Sequence, residues 1–417
     1  MNEKFDCDSL LNCLEKVIDY RGKTPKKLGG EWTENGFRVI SANNVKFEGL
    51  VKTDDIRYVD EKIYRKWMKD EVNKGDLILT SEAPAGQVMY WNSSEKIVLG
   101  QRLFCLRVKN KINSKYLKYY LQSKTGQREI FKNDSGSTVS GISAETFYNI
   151  ILHYPIDTDI QKKIGNLLFG LDEKIDLNNR INAVLESMAK ALYNYWFVQY
   201  DFPNEKGKPY KSSGGKMVWN KDLKRKMPDG WEVKKMKEVV DCIKDGVQPE
   251  EIDQKTVYIG LEHILRKSIV LSEWEFASKV DSTKCRFKEY DILFGKIRPY
   301  FHKVGICLMD GISSTDTIIL RCKDHKNQGL ILQTVFSDAF VKKASIGSTG
   351  TKMPRADWRI MKNYFLALPP EELRKRYQKI HTENLKRIKN AVLENRELSN
   401  LRDWLLPMLM NGQVKVG

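Results

Sequence analysis

The chain has 417 residues, enough for two or three domains at about 150 residues each. Its 71 Lys and Arg outnumber its 54 Asp and Glu, and a net charge of +17 favours a polyanionic partner, most often nucleic acid. A mean hydropathy of −0.50, without an apolar run of about 18 residues, excludes an integral membrane protein. Seven cysteines without a Cys-x-x-Cys pair and five scattered histidines predict reduced thiols, no metal site and a cytoplasmic protein.

The predicted globular parts are mixed α/β, because short apolar runs bounded by Gly, Asp and Asn indicate strands. In chain order, the predicted strands are 37–40, 76–80, 103–108, 258–261, 291–294 and 317–321, and the shorter predicted helices are 114–125 and 328–345.

The sequence also indicates a degenerate tandem repeat of two copies, each of about 200 residues. Four pairs of short segments recur in the same order at offsets of 211 to 222 residues: Leu14–Asp19 with Met236–Asp241, Gly75–Leu79 with Tyr290–Phe294, Gly136–Thr138 with Gly347–Thr349, and Asn179–Arg180 with Asn395–Arg396.

Each copy ends in a long predicted amphipathic helix, one from Asp159 to about Tyr195 and the other beginning after Pro369 and Pro370. Apolar residues spaced by three and four form a seam on each helix, with one six-residue step that falls around Asn178 in the first. The matched seams favour antiparallel packing of the two helices, although each helix could instead cap its own domain. The seam residues are Ile164, Leu168, Leu171, Ile175, Ile181, Leu185, Met188 and Leu192, then Leu385, Ile388, Val392, Leu398, Leu401 and Leu405.

Between the copies, residues 201–228 are rich in Pro, Gly, Ser and Lys, a composition that breaks regular structure. The segment could track phosphate groups or form a solvated linker.

Motifs for catalysis are absent. Gly22-Lys23-Thr24 has only the ending of a phosphate-binding P-loop, no Gly-x-Gly-x-x-Gly follows a strand, and the Asn-Pro-Pro or Asp-Pro-Pro signature of amino-methyltransferases does not occur. The sequence therefore predicts no catalytic residue.

Binding chemistry is present in the loops. Arg298 and Tyr300 follow a predicted strand, where Arg can grip guanine or phosphate and Tyr can stack, although a charged strand edge with a turn at Pro299 would look the same. Two hydroxyl-rich loops, one containing Ser137 and the other Ser348, could bind phosphate groups or base edges, but they could equally be helix-capping loops. The predicted DNA-contacting residues are Lys296, Arg298, Tyr300, Ser348, Thr349 and Lys352 in the second copy, and Thr80, Ser81, Ser137, Thr138 and Ser140 at the corresponding places of the first.

Longer motifs across almost the whole chain resemble the specificity subunit of type I restriction–modification systems. The match is weaker in the first copy, where Thr80–Pro84 replaces the family's Phe-Gly-Lys-Ile-Arg-Pro. The similar segments are Leu171–Asn182, Ala191–Val198, Asp201–Pro203, Gly207–Gly215, Pro228–Glu232, Leu293–Tyr300 and Pro354–Trp358.

The resemblance implies an α+β (mixed α/β) fold. Two globular target recognition domains are separated by two long antiparallel helices that form a coiled coil, in a pseudo-twofold tandem repeat. The implied division is 1–158 for target recognition domain 1, 159–200 for spacer helix 1, 201–228 for a connector loop, 229–370 for target recognition domain 2 and 371–412 for spacer helix 2.

The implied function is non-catalytic recognition of a bipartite site in double-stranded DNA. The helices would dock two adenine-N6 methyltransferase subunits, and a motor–nuclease subunit can join them; S-adenosylmethionine, ATP and magnesium belong to those partners, with no cofactor in this chain. The residues leave two alternatives open: a stand-alone DNA nuclease or modification enzyme with a divergent site, or a coiled-coil scaffold that binds nucleic acid.

Overall fold

The computed structural model describes residues 4–132, 141–142, 147–350 and 352–416. The chain folds into two compact units: unit 1 comprises Met1–Leu177 and Asn395–Gly417, and unit 2 comprises Asn178–Glu394. Each unit holds a mixed α/β domain and part of two long helices, as predicted. The five-part division of the chain by role stays a prediction.

Unit 1 is built around a four-stranded antiparallel sheet of order β2-β10-β7-β8 and a three-stranded sheet of order β6-β3-β9, in which β3 and β9 are parallel. Its strands are β1 Phe5–Ser9, β2 Leu14–Asp19, β3 Phe37–Ile40, β4 Val45–Lys46, β5 Gly49–Leu50, β6 Arg57–Val59, β7 Leu77–Thr80, β8 Val88–Tyr90, β9 Val98–Leu99, β10 Leu103–Val108 and β11 Ile151–Pro155. Its helices are α1 Leu10–Cys13, α2 Glu61–Trp67, α3 Ser114–Gln122, α4 Lys124–Phe131 and the start of the long helix α5, Thr158–Tyr193.

The central strand β10 is apolar along most of its length because both of its faces are covered. Phe104 and Leu106 point into the core that contains the long helices, while Leu103 and Cys105 point into a second core beneath the three-stranded sheet. Because side chains alternate between the two faces of a strand, β10 contributes residues to both cores.

Unit 2 repeats the same plan. Its four-stranded sheet has the order β15-β23-β20-β21, which matches the order in unit 1 and confirms the tandem repeat, and a five-stranded sheet has the order β16-β19-β22-β17-β18. Its strands are β12 Met217–Asn220, β13 Arg225–Pro228, β14 Glu232–Lys235, β15 Val240–Ile243, β16 Gly246–Val247, β17 Val257–Ile259, β18 Glu275–Phe276, β19 Lys284–Phe287, β20 Ile292–Gly295, β21 Val304–Ile306, β22 Gly311–Ser314, β23 Thr317–Cys322 and β24 Phe365–Leu368. Its helices are α6 Met236–Val239, α7 Gln328–Phe336, α8 Asp338–Ile346 and α9 Trp358–Met361, followed by the long helix α10, Glu371–Met410, which ends in unit 1.

A buried aspartate paired with a half-buried arginine explains one repeated motif. Asp76, just before β7, bonds Arg107 at 2.7 Å, and Asp291, just before β20, bonds Arg321 at the same distance. Each Asp also accepts a backbone N–H three residues before it, at 2.8 Å. The motif is repeated because each sheet needs the same capped turn beside the same arginine.

The two shorter predicted helices are each interrupted once. Ser123 separates α3 from α4 and accepts the Gly126 N–H at 3.1 Å, and Ser337 separates α7 from α8 and accepts the Phe340 N–H at 3.2 Å. Serine in an extended conformation caps a new helix better than it continues an old one, so the predicted continuous helices were wrong at these positions.

The long helices run antiparallel within each unit, as predicted. Hydrogen bonds between them pair rising residue numbers in α5 with falling numbers in α10. In unit 1 these are Arg402 Nη1 to Asp172 Oδ1 (2.9 Å) and Asn395 Nδ2 to the Ile175 oxygen (3.5 Å); in unit 2 they are Asn178 Nδ2 to Glu394 Oε2 (2.7 Å) and Tyr377 Oη to the Ala189 oxygen (3.4 Å).

The seam of α5 differs from the predicted one in its second half. The buried residues there are Asn178, Asn182, Leu185 and Ala189, whereas the side chains of Ile181 and Met188 are 43% and 59% exposed. The seam therefore does not break at Asn178, because two asparagines occupy apolar positions and keep the spacing of four, three and four. Including Ile181 and Met188 in the helix–helix seam was wrong.

Most other predicted seam residues are covered. On α10, Leu401 is 42% exposed, so its inclusion was wrong; the neighbouring Arg402 side chain is mostly buried and bonds Asp172 of α5 at 2.9 Å. Fully buried seam residues are Ile164, Leu168, Leu185, Leu385, Ile388 and Val392, and half-buried ones are Leu171, Ile175, Leu192, Leu398 and Leu405.

Residues 201–228 are folded rather than a solvated linker. Strands β12 and β13 pair as a hairpin, and Asp201 accepts the backbone N–H and the hydroxyl of Ser212, each at 2.7 Å. Phe202 and Met227 are buried with Trp231 in an aromatic cluster that also includes the ends of both long helices. The apolar residues scattered through the segment outweigh its polar composition.

All seven cysteines lie in the described ranges and are free thiols. Within the same ranges, no helix is both long enough and apolar enough to span a membrane.

Candidate nucleic-acid interface

The loop after β20 and the segment before α9 are joined by backbone hydrogen bonds. The Arg298 N–H donates to the Pro354 oxygen at 2.7 Å, and the Ala356 N–H donates to the Lys296 oxygen at 2.9 Å. The Lys296 N–H in turn donates to the Asp316 oxygen at 2.8 Å. The structure therefore brings together the two loops of the second domain that the sequence singled out.

The two joined loops form a platform on which Arg298 and Tyr300 are at least partly accessible. Tyr300 is 55% exposed. Arg298 is half-buried in a left-handed backbone conformation, with φ of 49°, and its guanidinium lies 5.8 Å from the Phe301 ring, which Arg266 approaches at 3.8 Å. In the described part of the chain, the buried Nε of Arg298 has no hydrogen-bond partner, so this N–H remains unsatisfied.

The remaining candidates of the second domain are partly engaged in the loop itself. Lys296 Nζ donates to the Thr315 oxygen, and Ser348 Oγ donates to the Ser345 oxygen at 2.6 Å. Thr349 pairs with Arg355 through two backbone hydrogen bonds, of 3.1 and 2.8 Å, which leave its side chain exposed, and Lys352 is exposed as well.

The first domain has the same loop but different side chains. Ala83, with φ of 55°, precedes Pro84 as Arg298 precedes Pro299, and the Ser81 N–H donates to the Arg102 oxygen at 2.9 Å. Alanine cannot replace the arginine as a DNA contact.

Two predicted contacts of this loop need correction. Thr80 and Ser81 are fully buried, and Thr80 Oγ1 donates to the Pro84 oxygen at 2.6 Å while accepting the Gln87 N–H at 2.9 Å. Both residues support the loop from inside rather than face a ligand. Ser137, Thr138 and Ser140 lie outside the described residues.

A basic cleft of about 630 Å³ lies beside that loop in the first domain. Among the residues that the structure describes, five cationic side chains and one carboxylate, Asp55, line it. The cations are Lys23, Lys26, Lys52, Arg57 and Arg102.

The aromatic ring of Trp32 forms part of the cleft wall and carries the Arg57 guanidinium at 3.7 Å. Burial, reinforced by the nearby charge of Lys69, lowers the pKa of Lys23, whose Nζ donates to the Trp67 oxygen at 2.8 Å. A cleft with this excess of positive charge suits a phosphate backbone.

Sequence reasoning missed this cleft. The basic run from Arg21 to Lys27 is the available signal, although by itself it indicates only an incomplete P-loop. No group of three or more His, Cys, Asp or Glu side chains among residues 4–132, 141–142, 147–350 and 352–416 is arranged to hold a metal ion.

Comparison with known proteins shows a family match over part of the chain and similarity to relatives over almost all of it. Residues 13–187 match the family described as the type I restriction modification DNA specificity domain. The chain is 23% identical over 411 residues to the type I restriction enzyme MjaIX specificity subunit of Methanocaldococcus jannaschii, covering 95% of this chain and 90% of that one. It is 29% identical over 150 residues to the HindI specificity subunit of Haemophilus influenzae, covering 32% and 30%.

The crystal structure of a type I restriction-modification S subunit from M. genitalium shares the fold. It superposes with a TM-score of 0.60 at 14% sequence identity, covering 98% of this chain and 96% of the other. The comparisons bear out the predicted resemblance to specificity subunits, and with it the predicted role of specificity subunit rather than enzyme. Along almost its whole length, the chain is similar to the specificity subunits of type I restriction enzymes.

Proposed function

We propose that each of the two α/β domains reads one half of a split site in double-stranded DNA. The observation that carries this proposal is the tandem repeat of the domains, with an exposed basic surface around the equivalent loop of each: the cleft beside Ala83 in the first, and the platform of Arg298 and Tyr300 in the second. Lysine and arginine would supply the salt-dependent phosphate contacts, and a few side chains would supply base selectivity.

The proposed partners are two adenine-N6 methyltransferase subunits, with a motor–nuclease subunit able to join them. In unit 2, Ile181, Val184 and Met188 form an apolar row on α5, and their side chains are 43%, 56% and 59% exposed. Exposed apolar rows of this kind favour protein–protein contact. S-adenosylmethionine, ATP and magnesium would be bound by those partners, and the complex would act in the cytoplasm.

The division of roles along the chain follows the same proposal. Residues 1–158 and 229–370 would read DNA, residues 159–200 and 371–412 would set the spacing, and residues 201–228 would connect the two halves. A rigid spacer between two readers makes the distance between half-sites a geometric quantity.

A single-molecule methylation profile of the strain that carries this gene, with and without the gene, tests the proposal. We expect N6-methyladenine to disappear from one split motif with a fixed spacer. An unchanged profile, in a strain shown to express the chain and an active partner methyltransferase, would refute it and revive the nuclease and scaffold alternatives.

Replacement of Arg298 by Ala tests the second domain separately. We expect weaker binding and a relaxed motif in one half-site only, because Arg298 lies on one of the two domains. Arg286→Ala, at an exposed arginine on β19 of the same domain, is the matched control. Unchanged affinity and an unchanged motif for Arg298→Ala would exclude this residue as a DNA contact.

A further inference from the structure

Two turns of the basic cleft emerge from neighbouring parallel strands. Val39 and Ile40 of β3 pair with Val98 and Leu99 of β9, so the chain leaves both strands at the same edge of the sheet. The Gly100 N–H donates to the Ile40 oxygen at 2.7 Å, which brings the starts of the two turns together. In α/β sheets, ligands bind preferentially outside the carboxyl ends of parallel strands.

The first turn, Ala42–Asn44, is rigid. Asn44 is buried and uses its whole amide: Oδ1 accepts the Ser41 N–H at 3.1 Å, and Nδ2 donates to the Val51 and Lys52 oxygens at 3.3 Å each. These bonds fix the turn to the segment that carries Lys52.

The second turn, formed by Gln101 and Arg102, is equally constrained. The Arg102 oxygen accepts the Ser81 N–H at 2.9 Å, and Arg102 has a left-handed backbone, with φ of 65°. A Cβ at Gly100 would lie 2.5 Å from the Ile40 oxygen, so the close approach of the two strand ends requires glycine there.

Each turn presents one amide side chain. Asn43 and Gln101 are exposed and line the same cleft. Within the described residues, neither side-chain amide has a hydrogen-bond partner. An amide offers a donor and an acceptor side by side, the pattern that pairs with N7 and N6 of adenine in the major groove.

We infer that Asn43 and Gln101 are specificity-determining residues that each read an A·T pair in the half-site bound by the first domain. This inference rests on the proposed function. Lys52 and Arg102, beside them in the cleft, hold the flanking phosphates and position the amides against the bases.

The second domain supports the inference by contrast. Its equivalent turn, Leu261–His263, is fixed in the same way, with the Gly260 N–H donating to His263 Nδ1 at 3.0 Å, but Glu262 stands where the first domain has Asn43. A matched rigid turn with a different exposed residue is what two readers of different sequences require.

The test is the methylation profile of strains that carry Asn43→Ala or Gln101→Ala. Each variant should lose about 10- to 100-fold of its preference for A·T at one position of one half-site, so that sites differing there become methylated. Asn73→Ala, at an exposed asparagine of the same domain outside the cleft, is the matched control and should leave the motif unchanged.

The outcomes separate the inference from the proposed function. An unchanged motif in both variants, or relaxation at a base pair other than A·T, would overturn the inference while the wild-type motif still supports the function. Uniform loss of methylation in a variant that melts at the wild-type temperature would also overturn it, because the residue would then supply affinity rather than selectivity. If the wild type shows no split motif, the proposed function itself fails. Should a variant melt at a lower temperature, Asn43→Ser or Gln101→Ser replaces it, and the same outcomes apply.

Discussion

The buried carboxylate Asp172 offers the sharpest test of the energetics of unit 1. Its Oδ2 accepts hydrogen bonds from Lys118 Nζ and Tyr119 Oη, and its Oδ1 accepts one from Arg402 Nη1 at 2.9 Å. Burial opposes ionisation of Asp172, but Lys118, Tyr119 and Arg402 outweigh it and lower its pKa. Replacing Asp172 with Ala would remove the group that joins α3 to both long helices.

The expected loss of stability follows from the fate of Lys118. Its side chain is almost fully buried, and burial already lowers its pKa beside Asp172. Without Asp172, the ammonium must stay charged without a partner or lose its proton. Neutralising a lysine at pH 7 costs at most about 4.6 kcal/mol. Since breaking a buried pair typically costs about 3–5 kcal/mol, we expect Asp172→Ala to lower the free energy of unfolding by about 3–4 kcal/mol.

Urea unfolding at pH 7 and pH 9 measures this loss. In the variant, the folded-state pKa of Lys118 lies further below its unfolded-state value, so the unfolded chain holds an extra proton and stability rises with pH, by at most about 1.4 kcal/mol per unit. The deficit relative to wild type should therefore shrink at pH 9. An equal deficit at both pH values would refute the stranded charge as the cause.

Two further variants complete that experiment. Lys118→Met combined with Asp172→Leu replaces the pair with apolar side chains and should recover part of the lost stability, because the buried ammonium is gone while Arg402 keeps its ion pair with Asp403 at 2.9 Å. Asp159→Ala, at an exposed carboxylate of the same helix paired with Lys162, should change little.

Three other results are expected. Burial lowers the pKa of His381 to about 4. Between about pH 6.5 and pH 4 the unfolded chain therefore binds a proton at His381 that the native state does not bind, so the free energy of unfolding should fall as the pH drops over that range. Urea unfolding of His381→Leu should show a flatter dependence of stability on pH over the same range. Gly100→Ala forces a Cβ to within 2.5 Å of the Ile40 oxygen and should cost about 1–3 kcal/mol, read as a lower melting temperature. Lys26→Ala with Lys52→Ala should reduce the slope of log affinity against log salt by about 0.9 for each phosphate that the variant no longer neutralises, measured by fluorescence anisotropy with duplex DNA.

The sequence predicted those parts of the fold that depend on local patterns. Strand Leu103–Val108 was located residue for residue, because its apolar run is bounded by polar turns. The second long helix begins at Glu371, directly after Pro370, as expected of a proline that precedes a helix. The tandem repeat could be found because residues such as Asp76 and Asp291 form the same ion pair with an arginine in each copy.

Features set by distant partners could not be predicted in this way. Asn178 and Asn182 look like a break in a seam until the facing helix shows that they occupy it. Thr80 looks like a ligand-facing hydroxyl until the loop around it closes through Pro84. Only a helix partner or a folded loop reveals these roles.

The basic cleft was beyond sequence reasoning for the same reason. Lys23, Lys52 and Arg102 are far apart along the chain, and no local pattern brings them together. The parallel pairing of β3 with β9 does so, and pairing between strands separated by nearly sixty residues leaves no periodic signal in the sequence.

The residues that the two copies share differ in burial from those that they do not share. The shared residues are buried and paired, as Asp76 and Asp291 are, and a change there would strand a charge or open a cavity. Asn43 and Glu262 differ although their turns are fixed by equivalent bonds, and exposed side chains of this kind can be exchanged at a cost of about 0.5 kcal/mol or less. A domain built in this way can change which bases it contacts without losing the stability of its core. Two domains that bind different half-sites, as proposed, therefore need turns of the same fixed geometry whose exposed side chains can differ.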